Sequence, residues 1–192
     1  MIFIDIIVYF LVLKEVIEVR TAANKNKKSK KKYPWRIILD NGRQIPVPSQ
    51  HDFKSDFIQH HGCSLVGFYM ALRFRGVKKT MQQVLQYARK KLTRGAKYPL
   101  MQVAKGINQI CSGKPATYYK SLTNAQLEAK LRKGYMVLFE EGNPIHTVVL
   151  LVESKTGKIW RFSDGKKSVV TVKKENVRRC TNKTYRGVVI VK

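Results

Sequence analysis

The sequence predicts an α+β fold in which helices pack on a C-terminal antiparallel sheet. Two patterns carry that prediction. Between Cys63 and Gly134, apolar residues recur at helical spacing in four successive stretches, each closed by a glycine. Beyond Gly134 the pattern changes to short apolar runs separated by Gly-, Pro-, Asn- or Lys-rich turns, with no helical stretch between them, so the strands follow one another as a meander rather than as βαβ units. A chain of 192 residues with 44% hydrophobic residues can bury one sizeable core. The simplest organisation is an apolar segment and basic linker over residues 1–32, followed by one domain over 33–192.

The domain begins with two short strands, Trp35–Leu39 and Gln44–Val47, around an Asn41-Gly42 turn; Pro46 and Pro48 place the second at an edge. The first helix starts at Cys63 and carries Leu65, Tyr69 and Leu72 on one stripe, with Gly76 positioned to end it. Thr80, with Gln83 three residues on, forms a capping box for the second, which presents Met81, Val84, Leu85, Ala88 and Leu92 and is broken by Gly95. Pro99 opens the third at its first turn, and Leu100, Val103, Ile107 and Ile110 follow before Ser112-Gly113. The fourth runs from Thr123, again with a glutamine three residues later, through Leu127 and Leu131 to Gly134. Strands are expected over 135–141, 146–153, 158–164, 168–173 and 185–192.

Charge is the outstanding feature of the composition. Thirty-eight Lys and Arg oppose 12 Asp and Glu, a net charge of +26. Residues 1–32 hold eight basic and three acidic residues, so the remainder keeps 30 against 9, or +21. The folded part is itself strongly basic, and its field attracts anionic surfaces such as nucleic acid, membrane headgroups or cell-wall polymers. The run Ile2–Leu13 is almost wholly apolar, but Asp5 interrupts it and Lys14, Glu15 and Glu18 follow, which leaves it short of a membrane span and without the basic start and cleavage site of a signal peptide. A marginal amphipathic helix or a misassigned start accounts for it better than an anchor, although the basic run of residues 20–32 suits an anionic membrane face. The residues name no compartment.

The chemistry centres on Cys63. A cysteine at a helix start meets unpaired backbone N–H groups and the positive end of the helix dipole, which stabilise a thiolate. Its histidine partner is constrained by count: of His51, His60, His61 and His146, only His146 lies outside the segment leading into Cys63. His146 opens the apolar run HTVVLLV, and Asp164, the only aspartate after Asp56, ends the next strand-like run. One hairpin apart, the two can lie side by side, the carboxylate accepting from one imidazole nitrogen while the other faces sulfur. This is a triad in the order Cys, His, Asp. The cysteines at 63, 111 and 180 have neither zinc-site spacing nor a disulfide framework. Cys111 reads as a small buried hydrophobe, with a bond to Cys180 as the lesser alternative. His60-His61-x-Cys63 supplies too few ligands for zinc, so no metal or cofactor is expected.

Gly62-Cys63 leading into an apolar helix, a helical middle, a strand beginning at His146 and Asp164 at the end of the next resemble the papain-like cysteine peptidases. Within them the pattern, over roughly residues 44–192, is most similar to the double-glycine leader peptidases of bacteriocin export and their stand-alone relatives. The resemblance implies a papain-like fold, Cys63 as nucleophile, His146 as general base and acid, and Asp164 orienting His146. It also implies a glutamine upstream of the cysteine in the oxyanion hole. Gln50, in the extended segment IPVPSQ, is favoured, with Gln59 as the alternative. Where the family commonly has Gly-Pro or an acidic residue after the cysteine, this chain has Ser64-Leu65.

The expected activity is therefore that of a cysteine peptidase or related amidase, a monomer acting on a peptide or protein. The competing expectation is a basic binding module for nucleic acid or for cell-wall or membrane polyanions, built on an inactive papain-like scaffold. It rests on the charge and on the mixture of basic residues and tyrosines over 90–120, including Arg94, Lys97, Tyr98, Tyr118 and Tyr119.

Overall fold

The computed structural model describes residues 35–39, 42, 44–92, 99–141, 145–153, 156–163, 166–169 and 187–192, all within the unit Tyr33–Lys192. The expected segment and linker of residues 1–32, and with them Asn41, Arg94, Lys97, Tyr98, Asp164 and Cys180, lie outside the described residues. Strands β1 (Trp35–Ile38) and β2 (Gln44–Val47) form an antiparallel hairpin in which Ile37 opposes Ile45. A single 3-10 turn, Gln50–Asp52, and helix α1 (Asp56–His61) lead into α2 (Cys63–Phe74). Then come α3 (Met81–Lys91), α4 (Leu100–Ile110), β3 (Ala116–Tyr119) and α5 (Asn124–Arg132). The chain finishes with β4 (Met136–Glu141), β5 (His146–Val152), β6 (Ile159–Ser163), β7 (Lys166–Val169) and β8 (Val188–Val191).

Strands β3 to β8 make one sheet in the order β3-β8-β4-β5-β6-β7, antiparallel at every pairing. The fold is α+β. Alternate residues of the central strands serve two different cores. Leu138, Val149, Leu151, Phe162 and Val189 face the layer made by α2, α3 and α4. Val137, Phe139, Val148, Leu150, Val188 and Ile190 face the other way, onto Leu127 and Leu131 of α5. Burial on both faces is why HTVVLLV and VVIV read as continuous apolar runs instead of alternating ones.

The helix ends follow the local chemistry. The Thr80 hydroxyl accepts from the Gln83 amide while Gln83 Oε1 accepts from the Thr80 amide, at 3.2 and 2.9 Å. Thr123 and Gln126 repeat the arrangement at α5 with the same distances. At the end of α2, Gly76 takes φ +83 and Val77 N–H donates to the Leu72 carbonyl at 2.9 Å, closing the last turn as a glycine in the left-handed region permits. Pro99 precedes the first turn of α4 instead of lying within it.

Three elements lie beyond what the sequence predicts. Helix α1 has only six residues and buries only Ile58, too little to show helical spacing. The 3-10 turn is likewise a single turn. Strand β3 is four residues long and joins the sheet at its edge beside β8, held at its start by Asn108, whose side chain accepts from Ala116 N–H at 2.8 Å and donates to its carbonyl at 2.7 Å. The strand predicted over 168–173 begins two residues earlier, at Lys166, and residues 170–173 lie outside the described residues.

Helix α2 comes closest to the sheet at Gly67. A Cβ there would sit 2.9 Å from Leu138 Cδ2 and 3.3 Å from Thr147 Cγ2, both on residues buried in the core. Gly67→Val should therefore destabilise the domain by about 1–3 kcal/mol, as overpacking does, measured as a lowered urea midpoint with unchanged slope.

Candidate active site

Helices α1 and α2 are two helices rather than one because of Gly62. Its N–H still donates to Ile58 O at 2.9 Å and its carbonyl accepts from Val66 N–H at 2.8 Å, but a Cβ at this position would lie 2.2 Å from the Ile58 carbonyl oxygen. Only glycine fits without a shift. Gly62 also provides no side-chain cap, and the first turn of α2 holds no acidic residue. The positive end of the helix thus stays unneutralised from within α2, and Cys63 is its first residue.

Cys63 is 8% exposed and shares a pocket with the imidazole of His146, the first residue of β5. The buried Nε2 of His146 has no hydrogen-bond partner among the described residues. Burial pushes the Cys63 thiol up. The hydrogen bond and charge of His146, with hydrogen bonds from the Thr147 backbone and side chain, pull it down further, and the net result lies below an ordinary thiol. Thr147 is a site residue that the sequence reading missed. The available signal was its place directly after His146, where strand alternation turns it toward the α2 layer.

The two glutamines separate in space. Gln50 lines the pocket at Cys63 together with His146, Thr147, Val47 and Pro48. Its Nε2 donates to the backbone carbonyl of Gln59 at 2.6 Å, which fixes the amide beside the start of α2. The Gln59 side chain does not line that pocket and instead donates to the Phe53 carbonyl at 2.7 Å. The space enclosed against Cys63 is only about 10 Å³, room for about one water molecule, so any larger group approaches from the open side. Ser163, the last residue of β6, also lines it; Asp164 follows directly and is outside the described residues.

The other titratable candidates lie elsewhere. His60 is exposed and hydrogen-bonded through Nδ1 to Asp56 O at 2.9 Å, and His61 packs against Phe57 with ring centroids 5.6 Å apart. Among the described residues no group of three or more His, Cys, Asp or Glu is placed to hold a metal ion. Cys63 and Cys111 are free thiols, so Cys111 makes no bond with Cys180. Burial raises the Cys111 thiol, against a smaller lowering by Arg75. Of the tyrosines assigned to a polyanion surface, Tyr118 and Tyr119 are half-buried in β3 and pack against the two cores.

No protein-family model and no curated protein sequence matches the chain.

The opposing influences on Cys63 yield a directional prediction. Alkylation of Cys63 by iodoacetamide, followed by peptide mass spectrometry across pH, should have a midpoint below the ordinary thiol value of about 8.5, and that of Cys111 should lie above it. In His146→Ala the main opposing influence is gone while burial remains, so the Cys63 midpoint should rise from its wild-type value. The linked stability has a definite sign. Because the folded thiol titrates below its unfolded value, the contribution is present above pH about 8.5 and is lost as pH falls through the folded midpoint.

Proposed function

We propose that the protein is a thiol hydrolase that cleaves peptide or related amide bonds through a covalent acyl-enzyme. The observation that carries this reading is that Cys63, at the uncapped start of α2, shares a pocket with His146, whose imidazole helps hold the buried thiol below its ordinary range. A buried structural cysteine is shifted upward, as Cys111 is; a downward shift from a specific imidazole partner is what a nucleophile requires.

In this mechanism the Cys63 thiolate attacks the substrate carbonyl carbon, and the carbonyl electron pair moves onto oxygen. Two donors meet that oxyanion: the Cys63 backbone N–H and the Gln50 amide. Gln50 Nε2 donates to the Gln59 carbonyl, which holds the amide at the pocket that Cys63 lines. Collapse of the tetrahedral species expels the amine, which takes its proton from the His146 imidazolium. The neutral imidazole then takes a proton from water, which attacks the thioester and regenerates the thiol pair. Asp164 is assigned the orientation of His146 by accepting from the imidazole N–H at Nε2. That nitrogen is buried and without a partner among the described residues, and Asp164 directly follows Ser163 at the pocket. The arrangement of an N-terminal nucleophile helix against a sheet bearing the histidine supports a papain-like reading of the α+β fold, and the resemblance to the leader peptidases of bacteriocin export suggests a peptide substrate.

Incubation of the full chain with a mixed peptide library, with cleavage read by mass spectrometry, should produce new termini that Cys63→Ala eliminates. Gln50→Ala should lower kcat by about 10²–10³-fold, the usual consequence of losing one oxyanion donor, whereas Gln59→Ala should cost far less. Cleavage that survives Cys63→Ala, or equal losses at the two glutamines, would sink this assignment.

A further inference from the structure

A second concavity is built around the far part of α2, and none of its lining residues takes part in the Cys63 pocket. It measures about 460 Å³ and is walled by the Phe53–Ser55 turn, Ile58 of α1, Tyr69 and Arg73 of α2, the 78–80 connection and the first turn of α3. Lys54, Arg73, Lys78 and Lys79 all line it, and no carboxylate does. Among the described residues, none of these four makes an ion pair; ion pairs form elsewhere, as between Arg132 and Glu128 and between Arg161 and Glu141.

Four like charges on one concave surface repel one another. Apolar walls such as Ile58 and Met81 lower the local dielectric and concentrate the field into the cavity. A strongly basic chain explains a high density of cations but not their gathering in a pocket whose lining excludes acidic groups. We propose that this pocket binds a soluble organic oligophosphate of nucleoside di- or triphosphate size, its phosphates held by Lys54, Arg73, Lys78 and Lys79 and its apolar part lying along Tyr69, Phe53 and Ile58. The volume lies within the range of about 300–1,000 Å³ typical of small-molecule sites. Charge density selects the chemistry. A terminal phosphate brings about −1.5 to −2 charges and three acceptor oxygens in a compact group, so two or three linked phosphates match four converging cations. An acidic peptide brings one charge per side chain and must immobilise its backbone to do so. Lysine acts on phosphate as a point charge, and arginine adds a planar pair of donors. Burial raises the Tyr69 phenol, against an opposing influence of Arg73, so its hydroxyl is a neutral donor at the cavity wall.

The test is isothermal titration of the full chain with ATP in metal-free buffer, with competition by inorganic tripolyphosphate. Saturable binding at one site per chain is expected, displaced by tripolyphosphate. Lys78→Gln/Lys79→Gln should weaken it at least tenfold. Lys130→Gln/Lys133→Gln removes the same charge from α5 and the residue that caps its end, on the opposite face of the sheet, and should change it less than twofold. Exposed Lys54→Gln supplies a second single-site variant should the double variant fail to fold, with an expected loss of at least threefold. The proposal is overturned if ATP shows no saturable binding up to millimolar concentration, or if the two double variants weaken it equally, which marks a diffuse charge effect. It is also overturned if phosphatidylglycerol vesicles or an oligoglutamate peptide bind in a Lys78/Lys79-dependent manner while ATP does not.

Discussion

The contact on which the site depends is the close approach of α2 to strands β4 and β5. Two glycines make it. Gly62 allows α1 to end and α2 to begin within one residue, and Gly67 lets the helix axis settle against Leu138 and Thr147. With larger side chains at those positions, Cys63 would be carried away from the first residue of β5. The meeting of thiol and imidazole in one pocket is thus a consequence of backbone packing, and the side chains that carry chemistry sit at the ends of elements whose interiors are fixed by hydrophobic burial.

The sheet supplies the rigidity that this contact requires. Its central strands are buried on both faces, by α2, α3 and α4 on one side and by α5 on the other. A strand with a packed core on each face cannot slip by one residue without exchanging every side chain between the two cores. The register that sets Glu141 opposite His146 and Phe139 opposite Val148 is therefore held by both layers at once, and the position of His146 along the strand is held with it. Glu141, ion-paired with Arg161 of β6, ties β4 and β6 together across the strand that carries the histidine.

Much of this was legible in the residues. The capping boxes at Thr80 and Thr123 announced the starts of α3 and α5, because Thr and Gln three residues apart have few better uses before an apolar run. The doubly buried strands showed as uninterrupted apolar runs, and the scarcity of histidines pointed to His146. What escaped was set by tertiary context. Strand β3 is too short for a pattern of its own and exists because β8 and Asn108 offer partners. Helix α1 buries one side chain. Thr147 is unexceptional in sequence and acquires its hydrogen bonds to Cys63 only from the packing of β5 against α2. The choice between Gln50 and Gln59 as the glutamine beside Cys63 likewise depended on a fold of the chain between them, since it is the 3-10 turn and α1 that bring residue 50 back to the helix start.

The large positive charge and the depressed Cys63 thiol are separate matters. Among the described residues, His146 is the only Lys, Arg, His, Asp or Glu that lines the Cys63 pocket, and the described Lys and Arg act on it only from a distance. At physiological ionic strength exposed charges are screened over about 8 Å, so a diffuse surface field adds little to a thiol that is 8% exposed. The influences that lower it are short-ranged: the imidazole of His146 and the backbone and hydroxyl of Thr147. Four of the cations instead line one cavity, between α1, α2 and α3. One helix thereby joins two electrostatically independent places, a thiol tuned by hydrogen bonds at its first residue and a cluster of positive charge near its last turn. Changes in salt should be felt strongly at the second and weakly at the first, because only the second depends on charges that solvent ions can reach.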